Sequence, residues 1–488
     1  MTFRRFLFFF TLALVFVMAA RLPLDSDLFW HLRAGEQTLA DARPLTVDVF
    51  SHTRAGETWV NHSWLSQVWL YLTWKMGGWF ALSLWTGALA ALGMGFIYLC
   101  MDDAPLLLRP FVIVFGALVA APVWVARPQL TSLVLFAFLL WYLRRWQQGR
   151  RAPLWALPPL FVLWSNLHGG YPLGLMLIGV VLGGALIERI LGRDALPWER
   201  WRSLAVAGLL GWLVVAINPN TWHMWLIPFQ TVGMTTLQQY ISEWASPDFH
   251  DFSQQPFIWL LLGTMMAMGF SRRRTSGADA LGVAMFAYLG LTARRNFGPF
   301  ALITMPVLAR HLGDVLGQIF ERLPKEAQTR LEAAAQTLNA EPARRESVFR
   351  VGVLILLWGI AIFKGYAVTL PVQVESALEE NYPAAAVAWI QENQPPGNLF
   401  NEYNWGGYLI WDLRAYPVAV DGRTDLYGDE ILTQYVQVQS AQDGWAHTLD
   451  DWGVNLVLVS PNTPLTAALA ESGWQQAYAD EVATVWIR

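Results

Sequence analysis

Apolar runs dominate residues 1–370 and are broken by short polar clusters. They fall at 6–20, 79–100, 106–125, 130–142, 153–164, 173–187, 204–217, 257–270, 279–292, 297–308 and 351–368. Several are shorter than the ~20 residues a helix needs to cross a bilayer, so polar flanking residues must complete them. The pattern predicts about eleven membrane-spanning helices. Residues 64–76 behave differently. They are bracketed by His62 and Gly77-Gly78 and carry Ser66, Gln67 and Lys75, which suits a helix lying in the membrane interface. The stretch 311–348 is charged and Ala-rich, with Leu316, Ile319, Phe320 and Leu323 at helical spacing. It reads either as a cytoplasmic amphipathic helix or as a solvated connector.

From residue 371 the pattern changes. Helical stretches at 384–392, 429–442 and 466–471 alternate with short β-like runs at 398–401, 418–420, 456–459 and 482–487. A small α/β domain over 371–488 is the natural reading, following a transmembrane domain over 1–370. The basic residues of this second part are Arg414, Arg423 and Arg488, against sixteen Asp and Glu.

Composition supports the membrane reading. Hydrophobic residues make up 55% and charged residues 14%, well below the share usual in soluble proteins. The 27 Trp suit interfacial belts, and a formal net charge of -4 gives no sign of a nucleic-acid partner. A lone cysteine, Cys100, excludes an intrachain disulfide. The start of the chain, with Arg4 and Arg5 before an apolar run, reads as a retained first helix or as a cleaved signal; the rest of the topology is the same either way.

Arginine position sets the orientation. With the N-terminus inside, Arg4 and Arg5, Arg109, Arg144, Arg145, Arg150 and Arg151 all fall on the cytoplasmic side. So do Arg189, Arg193, Arg200, Arg202, Arg272 to Arg274 and the stretch 310–350. That obeys the positive-inside rule. It predicts a multi-pass inner-membrane protein whose C-terminal domain lies outside, in the periplasm or extracellular space.

The polar residues left on the outer side form a compact set. The first outer loop, 21–64, holds Asp25, Asp27, His31, Arg33 and His62; later turns hold Arg127, His168, Glu243, Arg294 and Arg295. If a helix starts near Asp27, His31 lies one turn on, on the same face. A carboxylate there could take a proton from an attacking hydroxyl, or Asp25 and Asp27 could hold a divalent cation. The plain alternative is a helix N-cap at Asp25 or Ser26. Outer arginines could snorkel to headgroups or grip phosphate oxygens. His168 could be an interfacial filler, and Glu243 could bind a sugar hydroxyl or simply face water. In the second part, Asn401, Tyr403, Trp405, Tyr408, Asp421, Arg423, Asp425 and Tyr427 suit carbohydrate binding, or a structural Asp421–Arg423 ion pair beneath a packed Trp. No internal repeat, Walker, GxGxxG or zinc-ligand pattern is visible.

Several strings carry a resemblance. These are Asp25-Ser26-Asp27-Leu28-Phe29-Trp30-His31, Phe50-Ser51-His52-Thr53, Asn61-His62-Ser63-Trp64-Leu65, Glu243-Trp244, Asn404-Trp405-Gly406-Gly407-Tyr408-Leu409 and Asp421-Gly422-Arg423. With a first span followed by a long outer loop opening on Asp-x-Asp, the chain resembles the GT-C integral-membrane glycosyltransferases, and more narrowly a bacterial group within or near that superfamily. The resemblance implies transfer of a sugar from a polyprenyl-phosphate carrier to an extracytoplasmic glycan, lipid or protein acceptor. It makes Asp27 or Asp25 the base and gives the carrier phosphate to Arg127, Arg294 and Arg295, with His31, Arg33, His62, His168 and Glu243 as further substrate contacts. The chain departs from the family at Ser63, where many relatives have a carboxylate, and in its C-terminal domain. Two rivals stay open on sequence alone: a non-catalytic assembly or sensor protein, and a transporter or lipid flippase.

Overall fold

The computed structural model describes residues 1–234, 236 and 241–488. Each apolar run lies in a helix, the first in α1 (Phe3–Ala19). Among the described residues, four helices are long and apolar enough to cross a membrane: Trp64–Leu99, Pro172–Ile190, Arg294–Glu321 and Arg344–Ala367. Shorter apolar helices include Leu108–Val123, Leu154–Leu167, Gln255–Phe270 and Gly277–Thr292. Bulky apolar side chains such as Phe111, Ile190, Met266 and Phe363 stand exposed on them, as lipid-facing residues do. The chain is a polytopic helical membrane protein. Its last long helix returns beside the first, where Phe16 meets Trp358 edge-on at 5.3 Å and the Lys364 ammonium donates to the Val17 carbonyl at 2.6 Å.

The outer loop is ordered. α2 (Leu28–Ala40) packs against the start of α3 (Trp64–Leu99). α3 breaks at Gly77 and Gly78, so 64–76 is set off from the apolar stretch that follows. Gly78 sits at φ 54°, ψ -138°, open at low cost only to glycine. The segment 311–348 is not one helix. The helix Phe297–Glu321 runs through its first part, and a separate helix, Lys325–Asn339, follows. Of the outer segment 218–251, residues 235 and 237–240 lie outside the described residues.

The C-terminal part contains a four-stranded sheet of β1 (Asn398–Asn401), β2 (Val454–Val459), β3 (Gln475–Ala479) and β4 (Thr484–Ile487), in the order β1-β2-β4-β3. β1 and β2 are parallel and the other pairs antiparallel. Alternation along β2 sends Leu456 and Leu458 to one face and Val457 and Val459 to the other, each into its own core. One expected strand, 418–420, does not join the sheet. Val418 instead bridges to Ser51 of the outer loop, because the loop provides the hydrogen-bond partners.

That bridge belongs to a larger union. Phe29, Trp30, Ala34, Leu45, Phe50 and Trp59 of the outer loop share one apolar core with Leu399, Leu409, Val418 and Leu456. Arg423 makes a bidentate pair with Asp421, at 2.9 and 2.7 Å, and a third bond to Asp48 of the loop. All three side chains are wholly buried, with the guanidinium 4.8 Å from the Trp59 ring centre. The Asp421–Arg423 pair beneath a Trp is therefore present, and the loop's Asp48 completes it.

Candidate active site

Between the membrane helices and the C-terminal part lies a cavity of about 590 Å³. Asp27, His31, His62, Arg127, His168, Glu243 and Arg295 all line it. The opposite wall comes from the C-terminal part and includes Tyr403, Thr424, Asp425, Tyr435 and Gln439.

Asp27 stands at the N-cap position of α2, with no capping hydrogen bond from its side chain, and His31 lies one turn further on the same face. Its carboxylate accepts from the Trp30 indole at 3.1 Å and faces the Arg127 guanidinium at 2.9 Å. The C-terminal part closes tightly over it. A Cβ on Gly422 would lie 1.8 Å from Asp27 Oδ1, and one on Gly407 would lie 2.3 Å from the Ser26 carbonyl. Burial is the largest influence on Asp27. Arg127 pulls its pKa down while Asp25 and Glu243 push it up, and the balance holds it at about 7.

Arg127 is surrounded by acids. It reaches Glu243 at 2.8 Å and Asp27 at 2.9 Å, and its Nε donates to Asp25. Asp25 also accepts from the Asp27 backbone N–H at 2.9 Å. It stands behind the cavity rather than in its wall. Arg127 bridges the carboxylates of Asp25 and Asp27, and among the described residues no group of three or more His, Cys, Asp or Glu is placed to hold a metal ion.

Arg295 is different. Its guanidinium lies over the Trp244 ring at 4.2 Å, and it has no ion pair or hydrogen bond among the described residues. Two expected contacts fall elsewhere. Arg294, its neighbour on a tight turn, donates to the Ser242 carbonyl at 2.8 Å and does not line the cavity. Arg33 points away from the Asp27–His31 face and pairs with Glu36 at 2.6 Å, a carboxylate also held by Arg414 at 3.1 Å.

His31 is buried, and His62 and His168 are partly buried. Burial comes first for each; charge from Arg127 and the other two rings adds to it at His31, and from His62 and Arg295 at His168, so both stay well below their usual pKa. His62 is also lowered, by burial first, with Arg295 adding and Asp425 opposing. All three are neutral at neutral pH. Tyr435 and Gln439, on the helix Thr424–Gln439, had no sequence signal: only the packing of the C-terminal part against the outer loop brings them to the cavity.

The architecture is the GT-C fold of integral-membrane glycosyltransferases. Compared by sequence, the chain matches no protein-family model and no curated protein. By structure it is similar to ArnT from Cupriavidus metallidurans in the apo state, at 17% identity and a TM-score of 0.52, over 98% of this chain and 96% of that one. It is also similar to a mutant form of the mycobacterial arabinofuranosyltransferase AftD, at 15% identity and a TM-score of 0.50, over 99% of this chain but 41% of that one. ArnT bound to undecaprenyl phosphate aligns at 16% identity and a TM-score of 0.48, over 98% of this chain and 97% of that one.

Proposed function

We propose that this protein is a membrane glycosyltransferase. It moves a sugar from a polyprenyl-phosphate carrier to a hydroxyl of an envelope glycan, lipid or protein on the outer side of the membrane. The observation that carries this reading is the cavity itself: a partly buried carboxylate poised near neutrality and an arginine with no ion pair among the described residues line the same space. The acceptor oxygen attacks the anomeric carbon as the bond from that carbon to the phosphate oxygen breaks. The phosphate keeps the electron pair and Asp27 takes the acceptor's proton. Arg295 neutralises the charge that develops on the phosphate. Arg127 holds Asp27 and Glu243 in place instead of binding phosphate, because three carboxylates already face it.

The carrier phosphate is already a leaving group, so no nucleotide-binding domain is needed. The arginine distribution supports a cytoplasmic N-terminus with 371–488 outside. ArnT has been solved bound to undecaprenyl phosphate, and that lipid is the carrier proposed here. The test is native mass spectrometry of the detergent-purified protein with added undecaprenyl phosphate. The lipid should ride on the wild type and be lost from Arg295→Ala; equal retention by both would remove Arg295 from the phosphate site.

A further inference from the structure

The histidine hydrogen bonds fix more than ring position. His168 Nδ1 receives the backbone N–H of Gly170 at 3.0 Å and the hydroxyl of Ser132 at 2.8 Å. Because the Gly170 N–H can only donate, that Nδ1 is an acceptor and the Ser132 hydroxyl donates to it, while Ser132 Oγ itself accepts from the Trp164 indole at 2.7 Å. His62 Nδ1 receives the backbone N–H of Gly169 at 3.3 Å. His31 Nδ1 faces the Gln67 side-chain nitrogen at 3.4 Å. The orientation of Gln67 is set in turn: the Ser63 N–H donates to Asn61 Oδ1 at 3.4 Å, and Gln67 Nε2 donates to that same oxygen at 2.9 Å.

A backbone N–H can only donate, so Nδ1 of His62 and of His168 must accept; at His31 the Gln67 amide, oriented by Asn61, donates to Nδ1. A neutral imidazole has one proton, which therefore sits on Nε2 in all three rings. None of these Nε2 atoms has a partner among the described residues, and none is sealed off from the cavity. The rings of His62 and His168 stand nearly perpendicular, with centres 5.7 Å apart.

From this geometry we infer that His31, His62 and His168 present three fixed Nε2–H donors which, with Arg295, form a cradle for the oxygens of a phosphate ester. This rests on the glycosyltransferase reading for the identity of the ester, but not for its chemistry. A wall of neutral donors with a single cation suits an anion whose charge must change during reaction. It stabilises the oxygens without adding charge, and because their pKa is lowered the rings stay neutral and do not compete as bases for the acceptor's proton. Arg295 lies close enough to the rings to depress both His62 and His168.

Replacement by Gln keeps an N–H donor near the Nε2 position, whereas Phe keeps only the ring. The probe is farnesyl phosphate, titrated by native mass spectrometry against the full-length protein. His62→Phe and His168→Phe should each weaken binding by about tenfold or more, as expected for a lost hydrogen bond to a charged group. The Gln variants should stay within about threefold of wild type on the same argument. Phe variants that bind as well as wild type would overturn the cradle.

Nitrogen-15 spectra of ring-labelled wild type give a second reading that does not depend on any variant folding. They should show the Nε2–H form and move with phosphate. Parallel arms with inorganic phosphate and with phosphatidylglycerol nanodiscs tell a free phosphate from a lipid headgroup. Ring signals moved by none of the three probes overturn the proposal. The cradle and the catalytic reading fail separately: retained sugar transfer in Asp27→Asn would sink the latter, while loss of farnesyl phosphate from the Phe variants would still uphold the former.

Discussion

Asp27 gathers the competing forces of the site. Burial favours its neutral form, Arg127 favours its charge, and Asp25 and Glu243 add repulsion; the outcome is a pKa of about 7. A base must be deprotonated, so the rate of transfer should climb as pH rises through 7 and fall about tenfold per unit well below it. A flat profile between pH 5 and 8 would contradict this assignment. Linkage gives the opposite slope for stability. The folded state holds this proton more tightly than an unfolded carboxyl with a value of 3.8, so the group's contribution to stability declines as pH rises from about 4 to 7. Gly422→Ala tests the geometry at the same spot. Its Cβ would land on the Asp27 carboxylate, and a displacement of about 1 Å there should cost on the order of a hundredfold in rate; a rate within a few-fold of wild type would rule out the tight closure. The sequence made the Asp27–His31 pair legible through helical spacing. It could not separate Arg295 from Arg294, because which of two adjacent side chains turns inward depends on the Trp244 ring and the Ser242 carbonyl beside them.

Among the elements, α2 carries the coupling. One side holds the cavity residues and the other joins the outer loop to the C-terminal core. Asp48, Asp421 and Arg423 pin that junction without access to water. Removing the cation would leave two buried carboxylates unpaired, so Arg423→Met should lower stability by about 3–5 kcal/mol. Scanning fluorimetry would show the drop as an earlier melt, and limited proteolysis should open residues 371–488 first; an unchanged melt would make the junction ornamental. Helices were readable wherever the apolar period was long. Two strand-level details were not. β3 is an edge strand with mostly exposed polar positions, so it gives no alternation to read. The run 418–420 looks like a strand because it is apolar and buried, yet its partner is the outer loop rather than the sheet.

At the scale of the whole molecule, the membrane helices and the C-terminal part make one working unit, since the cavity has walls from both. The proposed orientation places that cavity outside. Cysteine labelling tests it cleanly, because the native Cys100 is buried and silent. An impermeant maleimide applied to intact spheroplasts should mark Gln476→Cys at once and Glu341→Cys only after permeabilisation. Labelling of both from one side would break the topology.

The most direct test of the central claim is to stop the reaction at its proposed base and identify what remains bound. Asp27→Asn, purified from its native membrane and examined by native mass spectrometry, should hold a polyprenyl phosphate still carrying its sugar, while wild type holds the bare carrier. The mass difference would also identify the donor sugar. If both proteins hold the same lipids, or neither holds a polyprenyl phosphate even after it is added back, the protein is not the glycosyltransferase proposed here.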